Sequence, residues 1–249
     1  MLSGAPVSST LRADQLLDQF LQGSDRQARN LVPSLRQRVG DLAPLVGERL
    51  RSADREDDSW RMGCLLQLLQ ETAGSSPVEG LEAWLEAWPE GWLIAPSAAG
   101  LDYGPLQGHL LRQEFEAADQ LTSAHLRQLA GPAAETRGYV YFSEVAAMPA
   151  LDLQSLDRLW IVYSLGRFGF SVQGRILGRC QGRWEELWLR LGWKQEGIWT
   201  RYPGSFTWSM EAPEGHMPLV NQLRGVRLMD ALLQHPAVLQ RTEAGTAKA

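Results

Sequence analysis

Lysine, cysteine and histidine are scarce in this 249-residue chain, and long apolar runs are missing altogether. The two cysteines, Cys64 and Cys180, stand far apart without a CxxC, which excludes a disulfide framework and a thiolate zinc site and points to a reducing compartment. The four histidines, His109, His125, His216 and His235, have no metal-ligand spacing and read as surface or helix-end residues. No apolar stretch is long enough to span a bilayer, and Met1 to Gln15 lacks the charged-then-apolar pattern of a signal peptide. The expectation is a soluble, cytoplasmic protein. A net charge of −5 offers no clustered positive footprint, so general nucleic-acid binding is excluded. Catalytic signatures are missing too: there is no GxSxG elbow, HExxH, Walker loop or Rossmann glycine fingerprint. Gly166-Arg167-Phe168-Gly169 follows a helix and not a strand, and Glu114, Glu116 and Asp119 read as a solvated helix face. The chain reads as a non-enzyme.

What is present is ordinary for a globular protein, 44% hydrophobic and 21% charged, with length for one or two domains. Lysine occurs only at 194 and 248, so the basic residues are nearly all arginine. Genome base composition explains that bias most simply, yet arginine still brings a planar fork suited to carboxylates. Residues 9 to 73 read as a series of helices resembling HEAT-like stacking. Ser9-Thr10 suits a cap, Leu11, Leu16, Leu17, Phe20 and Leu21 make an apolar stripe, and Pro33, Gly40 and Pro44 mark breaks. Gly-Ser-Ser-Pro at 74 to 77 punctuates the series before a helix with Trp84 and Trp88.

Residues 1–95 therefore predict an N-terminal helical bundle and 96–105 a linker. Residues 106–235 predict a second all-helical core domain and 236–249 a disordered tail. In the core domain, Leu106 to Ala130 is amphipathic helix. Residues 151 to 164 form another, with Asp152 as a cap and Leu153, Leu156, Trp160 and Tyr163 on its buried face. Period-two alternation never outlasts Tyr139–Phe142 or Phe168–Val172, so the fold class is all-α.

Trp160, Phe168, Phe170, Trp184, Trp188, Trp193, Trp199, Phe206 and Trp208 crowd the region from 160 to 208. Trp is rarely buried completely, so so many rings suggest a flat apolar ligand or a partner surface as well as a core. The segment from 203 to 218 adds Met210, Pro213, Met217 and Pro218 in an irregular context, as expected of a loop that closes over a ligand. A helix predicted from Pro218 to about Gln234 turns Leu219, Leu223, Val226, Met229 and Leu233 to the core. Asn221, Arg224 and Leu228 gather on another face, with Arg227 at its edge. By itself the helix reads first as a solvent-facing arginine pair; it also suits a ligand apolar in body and anionic at its rim.

Five ordered motifs carry a resemblance. They are Glu116-Ala117-Ala118-Asp119-x-x-Thr122, Arg137-Gly138-Tyr139 with Phe142-Ser143-Glu144-Val145, Asp152-Leu153-x-x-Leu156-Asp157-x-Leu159-Trp160, Gly166-Arg167-Phe168-Gly169-Phe170-Ser171-Val172-Gln173 and Ala212-Pro213-x-Gly215-His216-x-Pro218. Over roughly residues 103 to 235 the chain resembles the genomes-uncoupled-four family, and the extra N-terminal helices resemble its cyanobacterial arrangement. The resemblance implies a non-catalytic protein that binds protoporphyrin IX and Mg-protoporphyrin IX and stimulates magnesium chelatase in chlorophyll biosynthesis. The implied partner is the chelatase H subunit, and the implied form is a monomer with peripheral thylakoid membrane association. Asn221, Arg224 and Arg227 match the family's binding helix, with Asn221 a candidate axial contact to the porphyrin magnesium, a cation that prefers oxygen. Phe168, Phe170, Trp199, Phe206, Trp208, Pro213, Met217 and Leu228 are the remaining ligand-binding candidates. The competing reading is a helical scaffold that docks a protein through its aromatic patch, with porphyrin binding weak or lost.

Overall fold

A computed structural model of the chain describes residues 12–73, 88, 91–219 and 226–247. Four helices come first: α1 Ala13–Gln22, α2 Asp25–Gln37, α3 Val39–Ser52 and α4 Trp60–Ala73. After residues 91 to 103, α5 (Gly104–Leu111), α6 (Phe115–Ala130) and α7 (Pro132–Arg137) follow. A 3-10 turn at Phe142–Ala147 leads to α8 (Ala150–Val162), α9 (Phe170–Arg179) and α10 (Trp184–Arg190). A two-residue ribbon pairs β1 (Lys194–Gln195) with β2 (Ile198–Trp199). The chain ends in α11 (Val226–Gln234) and α12 (Pro236–Ala247). The fold is all-α with one antiparallel hairpin, Lys194 opposite Trp199 and Gln195 opposite Ile198. No helix among the described residues is long and apolar enough to cross a membrane.

Local chemistry accounts for much of the N-terminal part. Ser24 and Gln27 cap α2 reciprocally, the Gln27 amide donating to Ser24 Oγ and the Ser24 amide to Gln27 Oε1. Leu16, Leu17 and Phe20 of α1 are buried, as their spacing predicts. Pro33 and Pro44 do not break helices as expected. They lie inside α2 and α3, each removing one intrahelical donor, and the break falls at Arg38.

The first helices pack directly on the rest. A Cβ on Gly63 would lie 2.3 Å from the Val162 carbonyl oxygen, so α4 can meet the end of α8 only with glycine there. Across the same junction Gln67 Nε2 donates to the Leu110 and Tyr163 carbonyls. The Tyr163 hydroxyl accepts from the Trp92 amide and donates to Gln107 Oε1.

Two sequence expectations change here. Asp152 is not a cap: it is the third residue of α8 and wholly buried. Its carboxylate accepts from the Ala98 and Ala99 amides, from Ser97 Oγ and from the Tyr103 hydroxyl, so residues 97 to 103 are bonded to α8. The segment after Pro236, expected as a disordered tail, is helix α12. Its small, polar composition hides the two residues that dock it, fully buried Val238 and Arg241. Arg241 Nε bonds Asp157 Oδ2 at 2.6 Å, and its Nη2 bonds Asp58 Oδ2 at 2.8 Å. Asp157 is itself fully buried and also accepts from the Ser171 amide at 2.8 Å. Gly169, at φ +134, lets that turn approach, since a Cβ would sit 2.9 Å from Asp157 Oδ1.

Removing one partner of a buried ion pair leaves the other charge uncompensated, at a cost of about 3–5 kcal/mol. Arg241→Met should therefore lower the unfolding free energy read from urea denaturation by an amount in that range, with a matching fall in the midpoint. A midpoint within experimental scatter of the parent would mean that α12 contributes nothing through Asp157.

Candidate functional site

The helix expected from Pro218 is not helical at Pro218 and Leu219, where Gln173 and Asp119 take the backbone instead, and its described part is α11 from Val226. Leu219 N donates to Asp119 Oδ1 of α6 at 2.6 Å. From Val226 onward, α11 packs on the 3-10 turn at 142–147. Asn221 and Arg224 lie outside the described residues, between these two fixed points. Arg227 is exposed, with its guanidinium 5.4 Å from the ring centroid of Phe142. Among the described residues it has no ion pair.

Phe142 is itself 47% exposed, as is Tyr141. Beside them Arg137 stacks over Tyr141 at 4.0 Å and Tyr139 at 4.8 Å. Glu144 neutralises Arg137 at 2.7 Å and accepts from the Tyr141 amide. Those bonds hold the Glu144 carboxyl below its ordinary range. The result is an aromatic platform whose own arginine is paired with a carboxylate, next to a second arginine that has no ion pair among the described residues. Tyr141 and Phe142 were not among the expected site residues. The available signal was the brief Tyr139–Phe142 alternation.

The expected aromatic walls divide into two groups. Phe168, Phe170 and Met217 are wholly buried. Phe168 sits edge-on to Phe115 at 5.5 Å, so these side chains build the core and present no face to a ligand in this arrangement. Leu228 and Phe206 are nearly buried, at 8% and 7% exposure. Trp208 is half-buried and stacks on Phe206 at 5.5 Å; its Nε1 donates to the Pro203 carbonyl. Trp199 joins Trp188 in a different cluster, and Pro213 is exposed beside Gly192.

The loop is also less uniform than its composition suggests. Residues 212 to 218 are pinned from several sides. Gly215 N donates to Arg167 O, Gly169 N to Met217 O, and Gln173 Nε2 to both Gly215 O and Pro218 O. Trp193 Nε1 donates to His216 O, and His216 Nδ1 bonds Leu191 O at 2.6 Å. Tyr202 to Ser205, by contrast, are exposed. His216, His125 and His235 are buried and not surface residues, and burial lowers the pKa of each. Among the described residues no cluster of His, Cys, Asp and Glu is built to hold a metal ion.

Asp119 is the group that sequence misjudged most. It is not on a solvated face but 1% exposed, one turn from Thr122, which accepts from Trp160 Nε1. It takes a hydrogen bond from Leu219 N, which ties the end of the 202–219 loop to α6. Burial pushes it up to about 7, against the opposing pull of that donor and of the nearby Tyr202 hydroxyl, and Glu116 adds to the rise.

In outline, the site offers half-exposed rings beside an exposed arginine, a setting suited to a flat apolar molecule with anionic edges. A family profile described as GUN4-like matches residues 96–236. The chain is 50% identical over 140 residues to a "Ycf53-like protein" of Synechocystis sp., a match covering 56% of this chain and 60% of that protein. It is 40% identical over 141 residues to the "Tetrapyrrole-binding protein, chloroplastic" of Arabidopsis thaliana, covering 53% of each. The chain thus spans little more than half the length of these relatives. The solved structure of GUN4 from Chlamydomonas reinhardtii superimposes with a TM-score of 0.56 at 41% identity, covering 59% of this chain and 94% of that one.

The buried carboxyl has a measurable consequence. Unfolded, Asp119 ionises at its ordinary value near pH 4; folded, it keeps a proton up to about 7. Stability should therefore fall as pH rises through that window, by at most about 1.4 kcal/mol per unit, and level off above it. Asp119→Asn should remove this component, seen by urea denaturation at pH 5, 6, 7 and 8. Parallel stability profiles for parent and variant would show that the carboxyl ionises normally.

Proposed function

The chain belongs to the GUN4-like family, and from that premise we propose that it binds protoporphyrin IX and Mg-protoporphyrin IX without transforming them and stimulates magnesium chelatase through its H subunit. The observation that carries this reading is Arg227 standing over the exposed ring of Phe142, at the end of a segment whose other end is bonded to Asp119. The Arabidopsis relative, described as tetrapyrrole-binding, supports the same ligand class.

A porphyrin combines a broad apolar face with two propionates on one edge. Burying a few hundred Å² of that face is worth about 5–10 kcal/mol before the costs of association. Arg227, with Arg224, supplies cationic forks for the propionates, and Tyr141, Phe142 and the Phe206–Trp208 stack supply ring surface. Asn221 offers the oxygen that a porphyrin-bound magnesium accepts readily. Presenting the ligand to the chelatase makes the protein an accessory factor. Peripheral contact with the thylakoid surface and a monomeric state complete the reading.

Titration with protoporphyrin IX should quench tryptophan fluorescence and shift the Soret band. Arg224→Ala with Arg227→Ala should weaken binding while leaving helicity unchanged. The loss should be about 1 kcal/mol for an exposed contact, rising to about 3 kcal/mol for a contact desolvated on binding. An unaltered affinity would remove both arginines from the site.

The N-terminal helices are proposed as a unit that ligand binding does not require. A chain starting at residue 96, which keeps Ser97, Ala98 and Ala99 on Asp152, should fold and retain the Soret shift. A folded, helical fragment without that shift would place part of the site in residues 1–95.

A further inference from the structure

The turn between α8 and α9 has the N-terminal helices on one side and the 212–218 loop on the other. Just past the end of α8 the backbone is left-handed twice, at Leu165 (φ +55) and Gly166 (φ +71). Glycine enters that region freely. Leucine does so at a cost, and stays there only where its surroundings over-determine it.

The groups that hold Leu165 come from the N-terminal helices. Arg29 of α2 donates to the Leu165 carbonyl from Nε at 3.1 Å and from Nη2 at 3.0 Å. Its guanidinium rests on Trp60 at the start of α4, 5.4 Å from the ring centroid. Arg61 lies over the same ring at 5.5 Å and is itself anchored to the Gly23 carbonyl and to Asp25. Closer to α8, the Tyr163 carbonyl accepts from Gln67 of α4. A cation at this place also suits the negative end of the α8 dipole. The N-terminal helices thus cap α8 from outside.

The far side of the turn carries the loop. Arg167 O accepts from the Gly215 amide at 2.8 Å, Arg167 Nη2 donates to Ala212 O, and the Gly169 amide donates to Met217 O at 3.0 Å. Ser164 Oγ ties the turn together, accepting from the Arg167 and Phe168 amides. Only Gly166 stands between the residue that Arg29 grips and the residue that holds Gly215.

We propose that Arg29 is a positioning residue for this loop. By fixing Leu165 in its left-handed conformation it sets residues 167 to 169, and through them 212 to 218, so the N-terminal helices sharpen ligand binding without touching the ligand. Only that last step rests on the porphyrin-binding reading above. Binding does not require the helices. Without their cap, however, a share of the molecules has the loop out of place, and the apparent affinity falls by that share.

The test uses the full chain, Arg29→Ala, and Arg29→Ala combined with Leu165→Asn, because asparagine takes the left-handed conformation more readily than leucine. In Arg29→Ala the Gly169 and Gly215 amides should exchange with deuterium at least about tenfold faster, while amides within α2 and α4 keep their parent rates. The Kd for protoporphyrin IX, read by the Soret shift, should rise at least about threefold. Adding Leu165→Asn should return both readouts toward the parent, which a general loosening of the N-terminal helices would not allow. Parent-like exchange at both glycines would overturn the clamp, and faster exchange with an unchanged Kd would overturn its link to the ligand. A defect that Leu165→Asn leaves in place would overturn the route through Leu165. A parent chain that takes no porphyrin would sink the proposed function, and the two exchange rates would still decide the clamp.

Discussion

Backbone N–H groups buried outside helices and sheets need acceptors, and leaving one without a partner costs about as much as a lost hydrogen bond. In this chain three aspartates on helices meet that requirement, two for irregular segments and one for the open first turn of another helix. Asp152 of α8 receives the chain at 97–103, Asp157 of the same helix receives the start of α9, and Asp119 of α6 receives Leu219. Each carboxylate has capacity for several donors, so one helical residue fixes a stretch of irregular chain. The placement of the candidate site follows from this arrangement. The segment proposed to bind ligand follows Leu219, and Leu219 is where Asp119 puts it.

The same three residues mark the limit of what the sequence discloses. Helical stripes are legible because burial repeats with the helical period; Leu16, Leu17 and Phe20, or Leu153, Leu156 and Trp160, are recognisable one by one. An aspartate that faces inward has no period to betray it. Near a helix start it reads as a cap, as Asp152 does, and among glutamates it reads as a solvated face, as Asp119 does. Helix α12 was hidden for a related reason. Its docking depends on Asp157, distant in sequence, and composition near Arg241 carries no trace of that partner. In the candidate site, the exposure of Arg227 was legible from its position on a helix face. Phe142 was not, because its exposure depends on the 3-10 turn against which α11 packs.

Aromatic residues are divided between three tasks that composition alone cannot separate. Phe115 contacts both Trp160 and Phe168 in the core. Phe206 and Trp208 stack within the loop, and the tryptophans of α10 and the hairpin pack into a separate outer cluster. Crowding of rings between 160 and 208 is thus real, but most of it is structural. The side chains left to meet another molecule are fewer and lie at the edges of each cluster.

Arg137 gives the candidate site a direction. Because Glu144 and two tyrosine rings already engage it, the platform at 139–142 is close to neutral, and the exposed cation, Arg227, stands to one side of it. A disc with both carboxylates on a single edge would meet charge on that side and hydrocarbon on the other. Turning it end for end would set its anions against aromatic carbon. For the proposed ligand, such a surface would act as a keyway, setting which edge lies against the cation and which edge stays outside.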